Sequence, residues 1–138
     1  GEAWLASLQL PGVFLSLMRY TGVSRKVPAA EIAAYVPLLL GDDGGRAFLK
    51  IMRGFEPTAD KQRRYVSAVR NTPYPVQIVW GARDHALTLR HDGIHAQLAS
   101  GIDDPILLPA KHFLQEDYPE QIADAVCRLA SAVDGQRR

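Results

Sequence analysis

Two short apolar runs, each bounded by proline or glycine, lie in the second half of the chain with one helix-length segment between them. The first is Pro75-Val76-Gln77-Ile78-Val79-Trp80-Gly81 and the second is Asp104-Pro105-Ile106-Leu107-Leu108-Pro109. Runs of this length and composition predict buried strands. Between them Leu87–Leu98 predicts a helix, weakened by Gly93. Strand, helix and strand in that order make a parallel pair with a right-handed crossover. The fold class is therefore α/β. Parallel sheets are normally covered on both faces and contain more than two strands. The sheet implied here is incomplete, so part of the protein is expected to lie outside this chain.

The pattern changes near residue 73. Residues 1–72 read as helical throughout. Val13–Tyr20 is a short apolar helix. Pro28 suits the first turn of a second helix to about Tyr35, and Pro37 is expected to disturb its continuation. Arg46–Arg53 follows Gly44-Gly45 as a third. Thr58 is a good N-cap for a fourth, running to Arg70 with Tyr65, Val66 and Val69 on its apolar side. Residues 73–138 alternate strand and helix. In the last helix Asp117 is the expected cap, Pro119 the first turn and Glu120 the capping-box partner. Ile122, Val126, Leu129 and Val133 form its apolar stripe, and Gly135 is its expected end. Cys127, on the side of Ala123 and Ala130, reads as a small buried apolar residue.

With 138 residues the chain has room for one domain. Its 16 basic and 15 acidic residues leave a formal charge of +1, which creates no field for drawing in nucleic acid or an anionic membrane. Lys61, Arg63 and Arg64 read as a solvated helix face. A single cysteine excludes an intrachain disulfide and points to a reducing, cytoplasmic setting. No apolar run approaches the ~18 residues of a membrane span. The apolar N-terminus lacks a basic leader region and is broken by Pro11-Gly12, so it does not read as a signal peptide. It also lacks an initiator Met, and the chain is expected to begin inside a longer protein.

Functional groups in parallel sheets gather beyond the C-terminal ends of the strands. Asp84 follows the first run and His112 the second, so the two side chains are placed to meet. A carboxylate would hold the imidazole in one tautomer, and His112 would act as general base. Each residue alone has a structural reading: Asp84 as a turn residue, His112 as a packed histidine. His85 competes with His112 but lacks the second-strand context.

These segments carry a resemblance. Pro75-Val-Gln-Ile-Val-Trp-Gly-Ala-Arg-Asp84 is similar to the penultimate core strand of α/β-hydrolases, which delivers a carboxylate at its C-terminal edge. Ile106-Leu-Leu-Pro-Ala-Lys-His112-Phe-Leu-Gln-Glu-Asp117 resembles the last core strand and catalytic histidine of the haloalkane dehalogenase-like branch. The order of acid and histidine agrees with that family. Gly44-Gly-Arg-Ala-Phe-Leu-Lys-Ile-Met-Arg53 resembles segments of its helical cap. The resemblance implies a partial α/β-hydrolase fold: a cap in residues 1–72, then the last two parallel core strands and their helices in 73–138. It implies hydrolysis of a carbon–halogen, epoxide or ester bond in a small apolar organic substrate. Trp4, Phe14, Phe48 and Phe55 are candidate cap-pocket residues, though core packing explains them equally. Lys111 departs from the family, where glycine usually precedes the histidine. It either opposes protonation of His112 or extends outward.

The nucleophile is missing. None of Ser7, Ser16, Ser24, Ser67, Ser100 and Ser131 lies in a G-x-S-x-G setting. Gly41-Asp42-Asp43-Gly44-Gly45 imitates an aspartate elbow, but no strand enters it, and it reads as a loop between helices. His91-Asp92-Gly93-Ile94-His95 imitates a zinc motif, but Gly93 weakens the helix, Asp replaces Glu and no third ligand is evident. No cofactor or metal is expected. The isolated chain is expected to be inactive, its partner being a missing N-terminal half or a second copy. The alternative is a non-catalytic fragment that associates through an open sheet edge.

Overall fold

The computed structural model describes residues 2–8 and 10–136. Helices α1 (Glu2–Ser7) and α2 (Pro11–Leu17) lead into a π-helical turn, Met18–Gly22. Helices α3 (Ala29–Leu40), α4 (Arg46–Arg53) and α5 (Ala59–Arg70) follow. Strand β1 (Val79–Gly81) then opens the α/β part. A second π-helical turn, Leu89–Gly93, continues into α6 (Ile94–Ser100). Strand β2 (Ile106–Leu108), the short α7 (Leu114–Asp117) and α8 (Pro119–Gln136) complete the chain.

The strands pair in parallel, Val79 with Ile106, Trp80 with Leu107 and Gly81 with Leu108. The fold is mixed α/β with a two-stranded parallel sheet. Regular pairing is shorter than the apolar runs, but docking continues beyond it. Ile106 N–H donates to Ile78 O at 2.9 Å, Ala82 N–H to Leu108 O at 2.8 Å and Arg83 N–H to Ala110 O at 2.9 Å. The two chains thus run side by side past the strand ends.

Helix α4 occupies the expected span. Helix α5 starts at its expected cap, with Lys61 N–H donating to Thr58 Oγ1 at 3.3 Å. Four expectations need correction. Pro37 does not interrupt α3, which runs on to Leu40. The carbonyl that loses its donor belongs to Ala33, an exposed residue, so the missing bond falls on the solvent side of the helix. Asp117 does not cap the last helix: it ends α7, and both its oxygens accept from Ser24 N–H, at 3.2 and 3.0 Å. Gly135 lies inside α8, which continues to Gln136. Cys127 is exposed, not buried. Among the described residues of α8 Ala125 is the buried one, whereas Val126 in the expected stripe is 60% exposed.

The best-packed region is the helical part. Met18, Val23, Val27 and Ile32 are buried together, with Phe14, Leu15 and Phe113 against them. Phe113 follows His112, so this core also fixes the histidine segment. Ile32 is 1% exposed, and Ile32→Ala should lower the unfolding free energy by about 3 kcal/mol in a urea titration. A loss under about 1 kcal/mol would show that this core does not support the fold.

Elsewhere the surface is open. A compact protein of 15.2 kDa exposes roughly 7,100 Å²; this chain exposes 9959 Å². Leu107, central in a parallel strand, is 47% exposed, although such strands are normally covered on both faces. Among the described residues no helix is long and apolar enough to cross a membrane.

Candidate active site

Gly81 is the pivot of the site. A Cβ built on it would lie 2.4 Å from Lys111 O and 2.8 Å from Ala110 O, both backbone atoms. Only glycine allows the two strand exits to approach this closely. The approach carries the following residues to a common rim. Asp84 N–H donates back to Gly81 O at 3.1 Å, which closes a tight turn.

Asp84 then performs two tasks. Its Oδ1 accepts from Ala86 N–H at 2.8 Å and Leu87 N–H at 2.9 Å. Its Oδ2 lies 2.9 Å from His112 Nδ1. Oδ1 thus holds the turn, as a turn residue does, and Oδ2 holds the imidazole. The Asp84 side chain is 6% exposed and that of His112 31%. A carboxylate accepts only, so Nδ1 carries a proton, and in the neutral ring Nε2 is the nitrogen with the lone pair. Nε2 has no partner among the described residues and remains accessible, which is the arrangement a general base requires.

The histidine is clamped from the helical side. His112 N–H donates to Thr21 O at 3.2 Å and Phe113 N–H to Gly22 O at 2.9 Å. The His112 ring meets Phe113 edge-on, with centroids 4.9 Å apart. Lys111 does not extend freely outward. Its Nζ donates to Arg19 O at 2.8 Å and Tyr20 O at 2.9 Å, filling carbonyl positions at the end of the π-helical turn. Those two bonds tie Lys111 to the helical region. None of these supports was visible in the sequence, because no local pattern marks a contact between residues 18–22 and 111–113.

Tyr35 on α3 donates to Glu116 Oε1 on α7, which ties the helical region to the segment following the histidine. This bond, then burial and the nearby Glu116 and Glu31 charges, raises the Tyr35 pKa above 10.0. The neutral phenol is favoured in the folded chain, so its stabilisation is complete below pH 10.0 and disappears as pH rises through the raised folded pKa. In an ultraviolet titration, Tyr35→Phe should remove a tyrosine that ionises above 10.0, and Glu116→Ala should bring its pKa down. An unchanged titration curve in both variants would exclude the bond.

The remaining candidates stay apart from this rim. His85 is exposed and makes no bond to Asp84. Asp43 lies in a loop entered by α3, not by a strand. Its oxygens accept from Gly45 N–H at 3.0 Å and Ala47 N–H at 2.7 Å, so it caps α4. His91 Nδ1 is 3.1 Å from Asp92 Oδ1, and Thr88 N–H donates to Asp92 Oδ2 at 2.7 Å. The bond to His91 holds the Asp92 carboxyl below its ordinary range. Among the described residues no cluster has the makings of a metal site. No serine hydrogen-bonds to His112 among them. Lys61, Arg63 and Arg64 pair with Glu56 and Asp60, as a solvated face does. Phe14 packs in the core, Phe55 is exposed, and the Trp4 side chain lies outside the described residues.

Comparison with protein-family models, curated proteins and solved structures gives no match.

Proposed function

We propose that the chain is the cap and C-terminal portion of an α/β-hydrolase of the haloalkane dehalogenase-like branch. Residues 1–72 act as the cap and 73–138 as the end of the catalytic core. The observation that carries this reading is the 2.9 Å bond between Asp84 Oδ2 and His112 Nδ1, just beyond the C-terminal ends of paired parallel strands. The nucleophile comes from outside the chain, in a missing N-terminal half.

Asp84 orients the ring and His112 Nε2 receives the proton. With a serine nucleophile, the hydroxyl proton passes to Nε2 as oxygen attacks the ester carbonyl. His112 then protonates the departing alkoxide. With an aspartate nucleophile, the carboxylate displaces halide or opens an epoxide, forming an alkyl-enzyme ester. His112 then takes a proton from the water that attacks that ester's carbonyl. The ester C–O bond of the carbonyl carbon breaks, and the departing oxygen takes the proton of the new carboxylic acid, which releases the alcohol and restores the carboxylate. His112 afterwards gives its proton to solvent. With a haloalkane that proton leaves with the halide as acid, and with an epoxide it replaces the proton that the ring-opened oxygen drew from solvent. The substrate is a small apolar organic molecule.

The reading requires an upstream reading frame that encodes a G-x-(Asp/Ser)-x-G elbow. The whole product should release acid from a haloalkane or cleave a chromogenic ester, and the isolated chain should do neither. His112→Gln should lower kcat by about 10³-fold or more. An upstream frame without an elbow, or turnover indifferent to His112, ends this reading.

A second reading, association without catalysis, rests on the open surface. Strand β1 pairs on one side only, and the exposed area exceeds that of a compact chain. Sedimentation velocity should show a concentration-dependent dimer. A single monomeric species that binds no dye specific for exposed apolar surface would remove it.

A further inference from the structure

A cavity opens on the helical clamp of the histidine segment, and neither Asp84 nor His112 lines it. It is lined by Leu15, Ser16, Arg19, Tyr20, Arg25, Ala29 and Ile32 and has a volume of about 710 Å³. That is the size of a small-molecule site. It is formed by α2, the π-helical turn and the start of α3, on the best-packed core of the chain. Buried Ile32 and half-buried Leu15 are its apolar walls.

The charged groups of the cavity are both cationic, beside the neutral hydroxyls of Ser16 and Tyr20. Two guanidinium groups line it and no carboxylate does. Among the described residues neither Arg19 nor Arg25 has an ion-pair partner. Arg19 Nη1 donates to Ser24 O at 3.0 Å, which leaves most of its donors unused. The loop that carries Arg25 is held in place. Ser24 N–H is bound by Asp117, Ser24 O by Arg19, and Lys26 N–H donates to Ser24 Oγ at 3.2 Å. Asp117 spends both oxygens on that backbone N–H. The backbone that carries Arg25 is thus held beside the cavity.

We propose that this cleft binds an amphipathic oxyanion, with a carboxylate or phosphate head on Arg19 and Arg25 and an apolar body against Leu15 and Ile32. Guanidinium groups pair with such heads in a forked geometry. The site does not depend on the hydrolase reading, and its test measures no catalysis.

The test is calorimetric titration of the full chain with octanoate, octyl phosphate, octan-1-ol and sodium sulfate. Octanoate or octyl phosphate should bind, and whichever binds tighter identifies the head. Octanol, lacking charge, and sulfate, lacking an apolar body, should each bind about tenfold more weakly or not at all. Arg25→Gln should weaken binding by about tenfold with an unchanged melting curve, and Arg25→Lys should restore part of it. Ala29→Trp, from the exposed first turn of α3, should fill the cleft and abolish binding. Octanol binding as well as octanoate, or unchanged affinity in Arg25→Gln and Arg19→Gln, overturns the proposal. So does the absence of binding by both amphipathic anions.

Discussion

Gly81→Ala is expected to cost about 4 kcal/mol or more of folding free energy, an exceptional loss for one methyl group. The added carbon would lie 2.4 Å from Lys111 O and 2.8 Å from Ala110 O. Neither atom is the tip of a flexible side chain. Relief requires moving the backbone of residues 110–111, and Arg83 N–H is bound to Ala110 O. The same movement draws His112 away from Asp84, so stability and site geometry should fail together. Urea unfolding measures the first, and the hydrogen-bonded Nδ1 proton of His112 in NMR reports the second. Gly12→Ala is the control. No atom lies within 4 Å of its added carbon, and alanine is the better helix former in α2. If Gly81→Ala unfolds within about 1 kcal/mol of the parent, the strand exits do not approach as described.

Asp84→Asn is the complementary change, with a large effect on chemistry and a small one on folding. One amide oxygen still accepts from Ala86 and Leu87, so the turn survives. The amide NH2 then faces the imidazole where Oδ2 stood, and it demands a lone pair at Nδ1. The proton moves to Nε2, and the base points the wrong way. If the proposed function holds, kcat of the whole product should fall by about 10⁴-fold. In the isolated chain, ¹⁵N shifts of the His112 ring should exchange between Nδ1 and Nε2. Asp84→Ala instead leaves both backbone donors without their acceptor and should cost about 2 kcal/mol of stability. Wild-type ¹⁵N shifts with the proton already on Nε2 would contradict the site as described.

Local chemistry explains which elements were legible from residue order. Arg46–Arg53 and Ala59–Arg70 match their expected spans because a glycine pair, a threonine cap and helical spacing act within one turn. Gly45, at φ 85°, holds the left-handed conformation that opens α4, and other side chains rarely adopt it. The misread positions are those where a remote partner decides. Asp117 has the right identity for a cap, but Ser24 captures it from across the fold. Pro37 has the wrong identity for a helix interior, but its missing bond falls on the solvent side of the helix. Val126 belongs to the apolar stripe, yet it is 60% exposed.

Residue order by itself determined the parallel strand pair, the helix between the strands, and the placement of Asp84 and His112 beyond the same sheet edge. All three follow from periodicity and from the handedness of the crossover, which act over short stretches. Tertiary structure alone decided the close passage at Gly81, the clamp of residues 18–22 on His112 and the bonds of Lys111 to that clamp. Each joins backbone or side chains far apart in sequence, and no local pattern encodes such a distance.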